Sequence, residues 1–127
     1  MTIKYGVNMK LMLIHKTTGK EFILESNIEK KFDEDSKEYE VFCEQLQDKI
    51  PFDRESDKDK FDKQVVQIGL QTLEHIGKEK IEVINMCCKQ CYANNVNGWI
   101  EFGGAVINPK DFCVIKITEF ETYGNKH

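Results

Sequence analysis

The sequence predicts an α+β fold in one domain, residues 1–127, with the element order ββ-α-α-βββ. Apolar residues alternate with polar ones near both ends of the chain, which is the period of strands, and recur every three to four residues in the middle, which is the period of helices. The 127 residues, 40% of them hydrophobic, suffice for one core. We therefore expect a small antiparallel sheet, built from an N-terminal hairpin and a C-terminal three-strand meander, with two helices between them in sequence.

The first two strands form the predicted hairpin. One face of the first strand carries apolar residues at alternate positions, namely Val7, Met9, Leu11 and Leu13. Met12 and Ile14 make the opposite face apolar as well, so we expect both faces to be covered, by the rest of the domain or by a partner. Gly19 stands late in the short loop before residues 22–24, a pattern typical of a hairpin turn with glycine in the left-handed conformation.

The first helix is predicted to follow a polar loop, residues 27–37. Asp35 or Ser36 can cap this helix, and Pro51 ends it. Its apolar residues fall on one helical face: Tyr39, Phe42, Cys43, Leu46 and Ile50.

The second helix is predicted for residues 61–76, with Ser56 as candidate N-cap and Gly77 as the C-terminal stop. The helical spacing is carried by Phe61, Val65, Ile68, Leu73 and Ile76. Residues 66–70 also alternate as in a strand, and Gly69 weakens a helix interior, so a strand remains an alternative for this segment.

The last third of the chain predicts three strands, at residues 81–88, 98–107 and 112–120. The pair of glycines at 103–104 interrupts the second strand and indicates a bulge. Residues 108–111 predict a turn before the third strand, because proline occupies its favoured position there.

The charge of the chain is −4 and is unevenly distributed, since residues 33–62 hold twelve acidic and five basic side chains. This balance, with Arg54 as the one arginine, argues against direct nucleic-acid binding, which needs clustered Lys or Arg. No apolar run reaches the roughly 20 residues that a membrane-spanning helix requires. Five cysteines, an odd number, suit a reducing compartment. We expect a cytoplasmic protein that does not act on membranes.

Cys87, Cys88 and Cys91 form the densest group of candidate metal ligands. The spacing of Cys88 and Cys91 lets two thiolates meet one tetrahedral zinc ion. A structural zinc site needs two more ligands, and the sequence has no second pair of this kind. Buried thiols at a strand end are the simpler interpretation, because free cysteine is often buried. We expect no metal and no other cofactor, with zinc on this cluster as the alternative.

No catalytic constellation is recognisable. The three serines fall in loop or cap positions and lack a nucleophile-elbow pattern. None of the three histidines has neighbours that suggest a base oriented by a carboxylate, and the glycines form no phosphate-binding loop. The sequence therefore predicts a protein that is not an enzyme.

The predicted binding surface lies in the segment from Tyr92 to Trp99. Aromatic rings beside amide groups suit a small polar ligand or a protein partner. The residues are Tyr92, Asn94, Asn95, Asn97 and Trp99. The competing interpretation is a hairpin loop whose asparagines tolerate unusual backbone angles, with Trp99 in the core.

These features favour a non-enzymatic binding protein. The lysine-rich, arginine-poor composition is typical of AT-rich genomes, so our leading hypothesis is a phage or mobile-element accessory factor that sequesters a small ligand or blocks a host protein. One alternative is a zinc-stabilised regulatory domain built on Cys87, Cys88 and Cys91. Another is an acidic nucleic-acid mimic that uses residues 33–62 to inhibit a host nucleic-acid-binding protein. The apolar strands also predict a homo-oligomer, most simply a two-fold dimer.

Overall fold

The computed structural model describes residues 2–90 and 98–126. Its strands and helices are β1 (Thr2–His15), β2 (Glu21–Asp33), α1 (Lys37–Leu46), α2 (Lys58–Gln90), β3 (Ile100–Phe102), β4 (Ala105–Ile107) and β5 (Phe112–Lys126). Short 3₁₀ helices occupy Gln47–Lys49 and Pro109–Asp111. The predicted α+β fold and its order ββ-α-α-βββ are confirmed. One sheet has the strand order β2-β1-β5, and β3 and β4 form a second, two-stranded sheet.

β1 is the central strand of the larger sheet, and one of its two faces is buried. The buried residues alternate along the whole strand: Ile3, Tyr5, Val7, Met9, Leu11 and Leu13. The predicted hairpin is confirmed, because the backbone N–H of His15 donates to the carbonyl of Lys20 at 2.8 Å. Gly19 has a φ of 71°, the left-handed value expected for it.

β2 is longer than predicted. The prediction of a loop over residues 27–37 is wrong for residues 27–33, which belong to the strand. The strand continues to Asp33, with Phe32 buried, Ile28 half-buried and the residues between them exposed. β2 lies at the edge of the sheet, where one face can remain solvated. Polar residues therefore dominate this stretch, and its strand period is weak in the sequence.

α1 begins where predicted. The hydroxyl of Ser36, its N-cap, accepts a hydrogen bond from the backbone N–H of Tyr39 at 3.1 Å, satisfying one donor at the start of the helix. Tyr39, Cys43 and Leu46 form the buried face. The helix ends at Leu46, before the predicted Ile50, because a 3₁₀ turn follows and leaves Ile50 extended and buried.

α2 confirms a helix for residues 61–76 but continues to Gln90, so the stop predicted at Gly77 is wrong. Gly77 lies inside the helix, at a point where two side chains pack closely against it. A Cβ at this position would lie 2.8 Å from the sulfur of Met9 and 3.3 Å from the ring of Phe120.

The start of α2 also differs from the prediction. Ser56, the candidate N-cap, lies outside the helix, which begins at Lys58. The backbone N–H of Phe61 donates to the carbonyl of Asp57 at 2.9 Å, so Asp57 directly precedes the helical residues.

The strand predicted for residues 81–88 is wrong, because this segment is the C-terminal part of α2. Its buried apolar residues are Ile81, Ile84 and Cys88. Their spacing of three and four is the helical period. Val83 and Met86 lie on the exposed side, and apolar residues on both sides of the helix produced a pattern that resembled a strand.

β3 and β4 form a hairpin in place of the single bulged strand predicted for residues 98–107. Gly103 and Gly104 make its turn with φ values of 59° and 85°, the left-handed values that both central residues of a tight hairpin turn can require. The paired residues are Ile100 with Ile107, Glu101 with Val106 and Phe102 with Ala105. A Cβ on Gly103 would overlap the main chain of Glu25 in β2, so this turn lies directly against that strand.

β5 continues past the predicted end at residue 120 and pairs with β1. It runs antiparallel to β1, because the backbone N–H of Lys16, after the end of β1, donates to the carbonyl of Asp111, before the start of β5, at 2.8 Å. The three C-terminal strands therefore do not form one continuous meander. The turn predicted at residues 108–111 is a short 3₁₀ helix, whose start is capped by the side chain of Asn108.

The chain divides into two compact units. The first contains Met1–Val7, Glu29–Glu74 and Thr122–His127, and the second contains Asn8–Ile28 and His75–Glu121. The buried apolar residues of the first unit are Ile3, Tyr5, Val7, Phe32, Tyr39, Cys43, Leu46, Ile50, Phe61, Val65 and Leu73. Those of the second unit are Met9, Leu11, Leu13, Leu24, Ile81, Ile84, Cys88, Phe102 and Ile107.

Candidate interaction surface around Trp99

Trp99 is the one residue of the predicted binding surface that the structure describes. Its side chain is 71% exposed, so the interpretation of Trp99 as a core residue is wrong. The other predicted residues, Tyr92, Asn94, Asn95 and Asn97, lie outside the described residues.

Trp99 stands directly before β3, in the second unit. In the hairpin that follows, Phe102 and Ile107 are buried, whereas Glu101 and its cross-strand partner Val106 are exposed, Val106 to 58%. A carboxylate oxygen of Glu101 accepts a hydrogen bond of 2.9 Å from the backbone N–H of Gly104 in the turn. The hairpin therefore presents one apolar face to the core and leaves an apolar side chain, Val106, on its other face.

A groove of about 290 Å³ is formed by α2 and this hairpin. Its lining residues are Ile76, Glu79, Lys80, Val83, Ile84, Ile100 and Glu101. Ile100 and Glu101 are the two residues that follow Trp99, so the exposed indole directly precedes the β3 side of the groove in the chain.

The α2 side of the groove continues into an apolar stripe. Ile76, Val83 and Met86 are exposed, the last two to 53% each, and their spacing of seven and three places them on one helical face. We call Trp99, Val106 and this stripe the Trp99 surface. Sequence reasoning missed the stripe because part of it lies in the segment that was expected to be a strand.

Charged side chains border the apolar stripe. Glu79 Oε1 lies 3.0 Å from Nε2 of His75, one helical turn away, and both side chains are well exposed. Lys80 and Glu101 also line the groove. An apolar centre with a polar border of mixed charge is the composition of protein–protein interfaces.

A separate cluster lies around Tyr39 in the first unit. The Tyr39 hydroxyl donates to Oδ1 of Asp62 at 2.6 Å in buried surroundings. Burial first, and then the bond to Asp62, hold the pKa of Tyr39 well above its ordinary value, and burial likewise raises the pKa of the Cys43 thiol. Both groups stay protonated at neutral pH. The cluster is therefore suited to joining α1 to α2, and not to acting as a base or a nucleophile.

The Tyr39 cluster borders a cleft of about 390 Å³. The cleft is lined by Glu34, Asp35, Tyr39, Arg54, Glu55, Lys58 and Asp62. Lys58 Nζ lies 4.0 Å from Oε2 of the nearly buried Glu34, and the guanidinium of Arg54 lies 5.9 Å from the centre of the Tyr39 ring. Lys58 and Arg54 therefore already interact with other residues that line the cleft.

A third depression, of about 550 Å³, lies in the second unit beside β1 and β2. Lys10 Nζ lies 3.6 Å from a carboxylate oxygen of Glu25 and 3.9 Å from one of Glu119. The side-chain amide of Asn27 donates to that of Asn8 at 2.5 Å. These polar groups bind one another, and exposed ion pairs of this kind contribute little to stability.

The cysteine cluster is described only in part. Cys87 and Cys88 lie in the last turn of α2, Cys87 half-buried and Cys88 buried, and Cys91 lies outside the described residues. Within residues 2–90 and 98–126, no three His, Cys, Asp or Glu side chains come together in a way suited to a metal ion.

Comparison of the chain with protein-family models, with curated proteins and with solved structures finds no match. In the described part of the chain, neither helix combines the length and the apolar character needed to cross a membrane.

Proposed function

We propose that the protein is a non-enzymatic binding protein that docks a partner protein on the Trp99 surface. The observation that carries this proposal is the 71% exposure of Trp99 beside an apolar groove. Tryptophan has a large apolar area and few rotatable bonds, and it is enriched among the residues that dominate binding energy at interfaces.

The position of the exposed side chains favours a protein over a small ligand. Ligand pockets usually enclose most of the ligand. The exposed side chains of Trp99 and Val106 do not line this groove. A partner with its own surface could cover the groove and these side chains together. A host protein fits this description, while an origin in a phage or mobile element remains a prediction.

The acidic-mimic alternative has less support. Of the twelve carboxylates in residues 33–62, that of Asp62 is buried against Tyr39. Those of Asp33 and Asp53 accept hydrogen bonds from nearby backbone N–H groups at 3.0 and 2.7 Å. Such carboxylates shape the local chain and are less available to imitate a phosphate backbone. For the zinc-stabilised regulatory domain, no observation in the described residues adds support.

The proposal is tested by a photoreactive amino acid placed at position 106 in the full chain, where Val106 is 58% exposed and Trp99 stays in place, followed by reconstitution of the cross-linked partner from purified components. We expect Trp99→Ala to weaken binding by about 2 kcal/mol, roughly thirtyfold, because truncating a central aromatic removes its whole contact. Stability should change by less than about 0.5 kcal/mol, because the ring is exposed in the free protein.

Two controls make this test specific. A photoreactive residue at the exposed position Thr72, in the first unit, should not capture the same partner. Trp99 is the one tryptophan of the chain, so its fluorescence reports this position alone. The emission maximum should be that of a solvated indole and should shift to the blue with partner. An emission typical of a buried indole in the free protein, or undiminished binding by Trp99→Ala, would refute the proposal.

A further inference from the structure

The cleft beside Tyr39, in the first unit, is lined mainly by charged side chains. Four carboxylates and two cations line it, which gives a formal charge of −2. The carboxylates are those of Glu34, Asp35, Glu55 and Asp62, and the cations are Arg54 and Lys58. With a volume of about 390 Å³, the cleft falls within the roughly 300–1,000 Å³ usual for small-molecule sites. It is therefore large enough for a ligand of the size of an amino acid.

Arg54 presents a guanidinium whose N–H groups are not used by the described protein groups. The residue is half-buried, and the central carbon of its guanidinium lies 5.9 Å from the centre of the Tyr39 ring. A contact with the face of an aromatic ring does not satisfy the N–H donors of a guanidinium. Within residues 2–90 and 98–126, Arg54 forms neither an ion pair nor a hydrogen bond. Its planar donors remain available for a carboxylate, which they can bind through two parallel hydrogen bonds.

Two carboxylates of the same cleft, those of Asp35 and Glu55, are also available to a ligand. Both residues are exposed, and in the described part of the chain their side chains form no ion pair and no hydrogen bond. Their backbone N–H groups donate to the carboxylates of Asp33 at 3.0 Å and Asp53 at 2.7 Å, which stabilises the turns that carry them. Opposite charges thus line one cleft without pairing with each other, and the turns hold them in place before a ligand arrives.

The other two carboxylates of the cleft are buried. Asp62 is 2% exposed and accepts the hydrogen bond of the Tyr39 hydroxyl, and the side chain of Glu34 is 6% exposed, 4.0 Å from Lys58 Nζ. Salt screens buried charges much less than exposed ones. An ammonium group that enters the cleft is therefore attracted by carboxylates at its surface and by carboxylates in its interior.

We propose that this cleft binds a small molecule with one carboxylate and two cationic groups, of which a free basic amino acid is the simplest. The carboxylate of the ligand contacts the guanidinium of Arg54, and its cationic groups face Asp35 and Glu55. A ligand that is only an anion is repelled, because carboxylates outnumber cations in the cleft. A ligand that is only a cation leaves the charge of Arg54 opposed to its own. This proposal does not depend on the Trp99 surface, which belongs to the second unit.

The test is isothermal titration calorimetry of the full chain with L-lysine, at neutral pH and low ionic strength. We expect saturable one-to-one binding with a dissociation constant below about 1 mM. Cadaverine, which is lysine without its carboxylate, and norleucine, which lacks the side-chain ammonium, should each bind about tenfold more weakly or less. Cadaverine that binds as tightly as L-lysine would indicate simple attraction of cations to acidic groups, and it would overturn the proposal.

Arg54→Gln should weaken L-lysine binding by more than about tenfold but should not weaken cadaverine binding, because only L-lysine has a carboxylate for the guanidinium. Lys63→Gln is the matched control: it removes a cation from an exposed position of the same unit that does not line the cleft. It should leave the dissociation constant for L-lysine within about twofold of the wild-type value. Circular dichroism checks that both variants are folded, and the comparison of ligands on the wild-type chain decides the question if Arg54→Gln is not. No saturable heat up to about 10 mM L-lysine, unchanged L-lysine binding in folded Arg54→Gln, or an equal loss in Lys63→Gln would each overturn the proposal.

Discussion

The hydroxyl of Tyr39 and the carboxylate of Asp62 are joined by a buried hydrogen bond of 2.6 Å. Tyr39 lies in the first turn of α1 and Asp62 near the start of α2. The bond therefore holds together the two helical elements of the first unit. Because water does not replace a lost partner at a buried site, this contact is expected to matter more than an exposed bond of the same length.

Tyr39→Phe should destabilise the protein by about 1–3 kcal/mol, because it removes the donor to a buried carboxylate and keeps the ring. The measurement is urea denaturation at neutral pH. Tyr123→Phe is the matched control: the Tyr123 hydroxyl donates to Glu29 at the same 2.6 Å, but at an exposed site. The control should lose less stability than Tyr39→Phe, and the opposite order would contradict the importance assigned to the buried bond.

Stability should decrease at alkaline pH. Burial raises the pKa values of Tyr5, Tyr39 and Cys43 above their ordinary values of 10.0, 10.0 and 9.0. The unfolded chain releases these protons first, so the stabilisation is fully present below about pH 9 and is lost as pH rises towards the raised folded-state values. Urea midpoints measured from about pH 8 to about pH 11 should fall steadily. Tyr39→Phe should give a shallower fall above about pH 10, and an equal slope in both proteins would argue against the raised pKa of Tyr39.

Gly69→Ala should destabilise the protein although alanine favours helices. On an exposed helix the change gains about 1 kcal/mol, but a Cβ here would overlap the ring of Tyr5, and such overpacking costs about 1–3 kcal/mol. Thermal denaturation should show a lower midpoint for Gly69→Ala and little change for Thr72→Ala, an exposed neighbour on α2. Adding Tyr5→Val should recover part of the loss in a double-mutant cycle. A raised midpoint for Gly69→Ala would show that the close contact is not limiting.

The sequence predicted correctly those features that depend on contacts between residues close in sequence, such as a helix cap and a hairpin turn. Ser36 could be recognised as an N-cap because its hydroxyl binds a backbone group three residues away. Gly19 could be recognised because its turn joins two strands that are adjacent in sequence. These parts of the fold required no knowledge of distant residues.

The errors arose where a distant contact decides the structure. Gly69 and Gly77 look like helix breakers in the sequence, but each lies where a residue of β1 or β5 approaches α2 closely. The same applies to the Trp99 surface, whose groove combines residues from Ile76 to Glu101. The exposure of Trp99 also depends on which side of a hairpin faces the core, and the strand period alone does not determine that.

The position of β1 between β2 and β5 has a consequence for the order of folding. The hairpin of β1 with β2 closes over a short loop, whereas β5 must come from the far part of the chain. Loop closure makes the first pairing fast and the second slow. Until β5 arrives, during synthesis or refolding, the second edge of an apolar strand is open to other chains. Aggregation during refolding should therefore depend on the interval between these two pairing steps.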